Sequence, residues 1–189
     1  MRQVVVLGSV IALGLCTQVF AKDEFSYSYA ELGYINSESG NLDGDGLNLF
    51  GSYAFANKAH AFASYSDQDF DFGIGVKFFQ IGAGLNLALA PNLDFITRLS
   101  YVEVDVDGPG FSTEDDGFAL GASLRARVAQ QIELSAGFNY QDLENGGDDT
   151  SLNAGARYYF TDKLAAALDV LQNDDDTTLI LGARYEFGR

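Results

Sequence analysis

Carboxylates gather in short clusters along this chain: Asp43 and Asp45; Asp67, Asp69 and Asp71; Asp105 and Asp107; Glu114 to Asp116; Asp148 and Asp149; and Asp174 to Asp176. Oxygen-only ligands suit hard cations, and the one-apart spacing of Asp67, Asp69 and Asp71 makes these three the candidate ligands for Ca2+ or Mg2+. The glycine and bidentate glutamate that complete an EF-hand loop do not follow them, so solvated charge is the competing reading. Acid–base chemistry needs a group that titrates near neutral pH. The single histidine, His60, stands beside the turn at Asn57 and Lys58, away from the acidic clusters, and is expected at a surface or interface. The single cysteine, Cys16, lies in an N-terminal apolar run, which leaves no thiol nucleophile and no His/Cys metal set for the rest of the chain. No catalytic residue is expected, and no cofactor beyond a divalent cation at the acidic segments.

The charge balance narrows the partners. With 11 basic and 27 acidic residues the formal net charge is −16. That repels nucleic acid and anionic lipid surfaces alike. The N-terminus carries Arg2, an apolar run from Val4 to Leu15 and a small residue at Ala21, the pattern of a cleavable export signal over residues 1–21. Gly8, Ser9 and Gly14 interrupt a run already short of the roughly 20 residues of a spanning helix. Residues 22–189 then form one domain, and the loss of Arg2 takes its net charge to −17.

Alternation at period two dominates that domain, the mark of strands with two different faces. Phe118, Leu120, Ala122, Leu124, Ala126 and Val128 share one face, while Gly121, Ser123, Arg125 and Arg127 share the other. Turn residues punctuate ten such segments, at about 25–37, 46–55, 59–66, 76–89, 93–104, 118–128, 132–141, 151–160, 164–172 and 177–187. Short turns alternate with longer Gly- and Asp-rich loops at 38–45, 67–75, 105–117, 142–150 and 173–176. The fold expected is all-β, an up-and-down antiparallel transmembrane β-barrel of ten strands, with eight as the alternative. Tyr27 and Tyr29 are out of phase with Leu32 and Tyr34, which calls for a bulge near Ala30.

The non-apolar face holds Arg98, Arg125, Arg127, Glu133, Arg157, Asp169, Arg184 and Glu186 among glycines and serines. In a soluble barrel these would face water. In a membrane barrel the same charges face a narrow interior and pair there, while Phe55, Tyr101, Tyr140, Phe160, Tyr185 and Phe187 stand near strand ends as interfacial girdles.

The segments Ser52-Tyr53-Ala54-Phe55, Gly137-Phe138-Asn139-Tyr140, Gly155 to Phe160 and Gly182-Ala183-Arg184-Tyr185-Glu186-Phe187 resemble the small OmpA/OmpX-like outer-membrane barrels. The hairpin order, opening on Phe25-Ser26-Tyr27 and Glu31-Leu32-Gly33-Tyr34, resembles the diffusible-signal-factor-regulated outer-membrane protein family. The resemblance implies a monomer in the bacterial outer membrane, in contact with its lipid and lipopolysaccharide and inserted by the barrel machinery. Divalent cations at the acidic loops would then bridge to lipopolysaccharide phosphates. The function expected is a structural or surface-interaction barrel without enzymatic activity. The alternatives are a narrow porin-like channel for ions or small solutes, and a soluble secreted ligand-binding barrel.

Overall fold

The computed structural model describes residues 25–40, 42–173 and 176–187, so the expected export signal and Asp174 and Asp175 lie outside the described residues. Ten strands follow one another: β1 Tyr29–Ser39, β2 Leu42–Ala56, β3 Ala59–Phe70, β4 Ile74–Ala90, β5 Leu93–Gly108, β6 Phe111–Ala129, β7 Ile132–Leu143, β8 Gly147–Tyr159, β9 Leu164–Gln172 and β10 Asp176–Glu186. Each pairs antiparallel with its sequence neighbours, and β10 pairs with β1 to close the barrel. Closure leaves no unpaired sheet edge, which is the condition for a sheet to sit in hydrocarbon.

Alternation decides the faces. Leu47, Leu49, Leu85, Leu99, Phe118 and Leu181 all point outward and are each more than half exposed. A soluble monomer does not carry an apolar belt of that extent around its whole girth, so the belt faces lipid and the soluble-barrel alternative falls. Aromatic rings edge the belt, with Tyr101 and Phe118 meeting edge to face at 6.3 Å near one rim and Tyr158 and Phe160 at 5.3 Å near the other.

Two expectations are corrected. Among the described residues the acidic segments read as long loops are largely strand: in the β5–β6 hairpin Asp105 pairs with Glu114 and Asp107 with Ser112, and the connection shrinks to Pro109 and Gly110. Gly110 takes φ 90° at that tip, a conformation that costs glycine little. Composition misleads here because strands that project beyond the bilayer into water become polar without losing their ladder. β-propensity is then overridden by pairing with a neighbour already in register. β6 has 19 residues, well beyond the roughly 9 to 11 that cross a bilayer.

The second correction is in β1, which pairs without a bulge from Tyr29 to Ser39 on both sides. Tyr29 is buried in the interior and Leu32 and Tyr34 face lipid, so Tyr27 and Tyr29 differ in phase from Leu32 and Tyr34 because the two pairs lie on opposite faces of the barrel wall. The first two belong to the inner face, where arginine side chains cover them. Bulges occur instead beside three turns at the other end of the hairpins, between Ala54 and Ala56, Ala88 and Ala90, and Arg127 and Ala129.

Candidate functional site

The inner face carries the polar chemistry. All eight charges singled out from the sequence point into the barrel, and the structure adds Glu31 on β1 and Asp94 on β5. Glu133 on β7 is the hub. Arg125 donates to it through Nε at 2.7 Å and Nη2 at 3.0 Å, Arg127 through Nη2 at 3.2 Å and Arg184 through Nη1 at 3.0 Å. The Arg125 pair is the two-pronged fork that a planar guanidinium makes with a carboxylate. Arg184 on β10 also donates through Nε to Glu31 at 2.7 Å. Glu31 receives Arg157 at 2.7 Å, and Arg157 donates onward to Asp169 at 2.9 Å. The ion pairs therefore run from β6 and β7 across the lumen to β10, β1, β8 and β9. Strands far apart in the sheet are tied together through the middle of the barrel.

Such pairing is required by burial. Glu133, Glu186, Arg125 and Arg184 are all buried, and an uncompensated charge there would cost several kcal/mol, on the order of a broken buried pair. Tyr159 completes the layer, its hydroxyl donating to Glu186 at 2.5 Å and lying 3.3 Å from Glu133. The small residues among the charges make room for the arginines: Gly155 lies beside Asp169 and Ser135, where a side chain would have no space.

Below this layer, the residues ahead of β1 fold back into the mouth. Tyr27 donates its hydroxyl to Asp94 at 2.7 Å, and its carbonyl accepts from Ser52 Oγ at 2.8 Å. The Ser26 carbonyl accepts from Arg125 at 2.8 Å, and the Ser28 carbonyl from the backbone of Phe187 at 3.0 Å. The Arg125 guanidinium lies over the Phe25 and Tyr27 rings at 4.8 and 5.1 Å. Residues 25–28 thus form a strap across the mouth at the end where β10 finishes. His60, expected at a surface or interface, lies wholly buried inside this same mouth, with its ring stacked on Tyr27 at 5.1 Å. It stands opposite Gly84, whose missing side chain leaves the imidazole its space.

Above the ion pairs a cavity of about 190 Å³ opens, lined by Arg98, Ser123, Ser135, Asn139, Asn153 and Asp169 among others. Arg98 is set apart from the other arginines. Among the described residues it makes no hydrogen bond or ion pair, its Nε is buried without a partner, and its guanidinium rests on the Phe50 and Phe62 rings at 5.4 and 5.1 Å.

The proposed cation ligands are placed differently from what a loop would give. Asp67 and Asp69 project from the outer face of β3, Asp67 opposite Lys77 of β4, and Asp71 begins a single turn of 3-10 helix. Asp71 is drawn toward the backbone of Asp43 instead, at 3.5 Å. Among the described residues the carboxylate set whose ligand atoms come within 4.8 Å of one another is Glu103, Asp105 and Glu114, on the outer face of β5 and β6.

A closed ten-stranded antiparallel barrel with an apolar belt outside and ion pairs inside defines an outer-membrane β-barrel protein. The sequence agrees: residues 7–160 match the outer membrane protein beta-barrel domain, and the chain belongs to that family and to the bacterial outer membrane. Among curated proteins nothing matches it significantly. Among solved structures it is similar to an outer-membrane channel from Pseudomonas putida F1, at 10% identity and TM-score 0.57, covering 90% of this chain and 100% of that one. It is also similar to the NanC porin, at 7% identity and TM-score 0.53, covering 84% of this chain and 100% of that one. At such identities the likeness is one of fold. Connections are short at both ends, and the acidic hairpins that extend the strands furthest lie at the end away from residues 25–28; in barrels of this architecture the longer extensions are extracellular.

Proposed function

We propose that this barrel is a narrow channel for ions or small polar solutes, described here in a closed state. The observation that carries the reading is the character of the inner wall. Ser37, Asn48, Ser66, Gln80, Ser100 and Asn139 face inward above the ion pairs, so the lumen is lined largely by polar groups, with Ser37 bonded to Gln68 and Thr178, Gln80 bonded to Ser100, and the buried Ile35 and Val102 among them. Ten strands stand only a little above the eight whose interior side chains fill completely. What shuts the lumen is therefore a set of side chains, the ion pairs with the buried serines, Ile35 and Val102 above them, together with the strap of residues 25–28. The structural neighbours described as a porin and an outer-membrane channel give the fold a precedent for this use. No catalytic step is part of the proposal. Within the family, the hairpin order favours placing the chain with the diffusible-signal-factor-regulated outer-membrane proteins.

Planar-bilayer recording tests the reading. Wild-type barrel should give small, infrequent openings, and Tyr27→Ala, which removes the hydrogen bond to Asp94 and the stack on His60, should open more often at unchanged unit size. Silence from both proteins, with each still showing the heat-modifiable gel migration of a folded barrel, would leave a purely structural barrel as the better account.

A further inference from the structure

We propose that the cavity above the ion-pair layer is a binding site for a small, singly charged carboxylate bearing hydroxyl groups, held by Arg98. Four arginines and three carboxylates line it: Arg98, Arg125, Arg157 and Arg184 against Glu31, Glu133 and Asp169. Three of the arginines are committed to those carboxylates at 2.7 to 3.0 Å. The remaining positive charge is Arg98, which has no partner of opposite charge among the described residues. Around the ion-pair layer five arginines face five carboxylates, Glu31, Asp94, Glu133, Asp169 and Glu186, and Arg98 is the arginine with none of these within ion-pair distance among the described residues.

The strand register explains why Arg98 is unpaired and pre-positioned. On β5 it stands opposite Gly84 of β4 and Gly121 of β6, neither of which can cover or neutralise it. Phe50 and Phe62 support the guanidinium from below and restrict its rotamers, so less entropy is lost when a ligand binds. The planar fork of an arginine matches a carboxylate in two-pronged geometry. Around it the lining mixes the amides of Asn139 and Asn153 and the hydroxyls of Ser123 and Ser135 with the apolar Ile96, Leu171 and Ile180. Those amides and hydroxyls donate and accept equally well, which suits a hydroxylated body attached to the carboxylate. One arginine fork without a carboxylate partner matches one carboxylate group. A volume of about 190 Å³ admits one small molecule and not an extended chain. Binding is judged apart from conduction, since it requires only that the ligand enter the lumen and not that it pass through.

Calorimetry on the full-length barrel folded in detergent tests this, with sodium gluconate as probe in a low-chloride buffer and glucose and sodium chloride titrated separately. Gluconate should give saturable heat for one site, glucose none, and chloride weaker binding than gluconate. Arg98→Gln should weaken gluconate by about tenfold or more, the loss of a charge-assisted hydrogen bond. Asn153→Ala should weaken it less. If Arg98→Gln does not show the heat-modifiable migration of a folded barrel, Arg98→Lys serves in its place, keeping the charge but losing the fork, and it too should bind more weakly. Absence of saturable heat from wild type, or an Arg98 variant that binds as tightly as wild type, overturns the site. Chloride binding as tightly as gluconate overturns the assignment to a hydroxylated carboxylate. None of these outcomes touches the channel reading, which bilayer recording judges separately.

Discussion

Replacing Glu133 by glutamine tests whether the ion-pair layer holds the barrel shut and upright. The substitution keeps the volume but removes the counter-charge of three arginines. Arg184 retains Glu31 at 2.7 Å and Arg125 retains Glu186 at 3.9 Å. Arg127 keeps the carbonyl of Gln130 at 3.4 Å and the face of the Tyr159 ring at 4.7 Å, so it becomes a buried cation without a carboxylate. Breaking one partner out of a buried pair costs about 3–5 kcal/mol. The remaining partners of Arg125 and Arg184 place Glu133→Gln near the lower end, about 3 kcal/mol. With a slope of about 1–3 kcal/mol per molar urea, that is a midpoint lowered by about 1–3 M. Urea titration of the barrel in lipid vesicles, followed by loss of heat-modifiable migration, reads it directly. Adding Arg127→Gln to Glu133→Gln removes the stranded cation and should recover about 1–2 kcal/mol, a coupling within the usual range for neighbours. An unchanged midpoint in the single variant, or a double variant less stable than the single, would refute the idea that these charges sustain one another.

The closing seam between β1 and β10 should tolerate no added side chain. A methyl at Gly182 would strike the Leu32 carbonyl and the Gly33 backbone, which cannot swing aside. Gly182→Ala should therefore lower stability by about 1–3 kcal/mol in the same urea assay. Gly51→Ala, whose added methyl meets nothing within 4 Å, should leave it unchanged or slightly raised. On the outer surface, Glu103, Asp105 and Glu114 are like charges on paired strands, and such neighbours repel. Asp105→Asn should raise the urea midpoint when divalent cations are chelated, and the difference should shrink when Mg2+ is added; a variant less stable than wild type under chelation would count against repulsion there.

How much of this was legible beforehand depends on what each residue answers to. The ten strands follow from alternation because burial against lipid and exposure to a polar lumen impose it residue by residue, as from Phe118 to Val128. Inward charges such as Arg125 and Arg157 were visible for the same reason. Strand ends were not. Asp105, Asp107 and Glu114 have the composition of a loop, yet pairing carries the ladder to Pro109, and pairing with a particular partner leaves no local mark. Glu31 was missed because the phase of the first strand was set by Leu32 and Tyr34 against Tyr27 and Tyr29. Taking Tyr29 as inward puts Glu31 on the same face at once. His60 was misplaced for a related reason: nearness to a turn says nothing about whether a position points in or out. Its even number in a strand whose inward positions are Phe62, Ser64 and Ser66 does.

The way the lumen is blocked also bears on what it can do. An apolar plug would be held by the same hydrophobic contacts whether or not water entered, and opening it would expose apolar surface. Guanidinium–carboxylate contacts lose part of their Coulomb attraction on opening but regain hydration, so the open and closed arrangements are closer in free energy. The strap adds only a few hydrogen bonds and ring contacts at the mouth. A barrel closed in this fashion can be stable as a fold while its lumen remains able to open. Opening calls for rearrangement of side chains alone, Tyr27, Arg125 and Arg127 at the mouth and the buried groups around Ile35 and Val102 above, without any change in the strand ladder that keeps the lipid-facing wall intact.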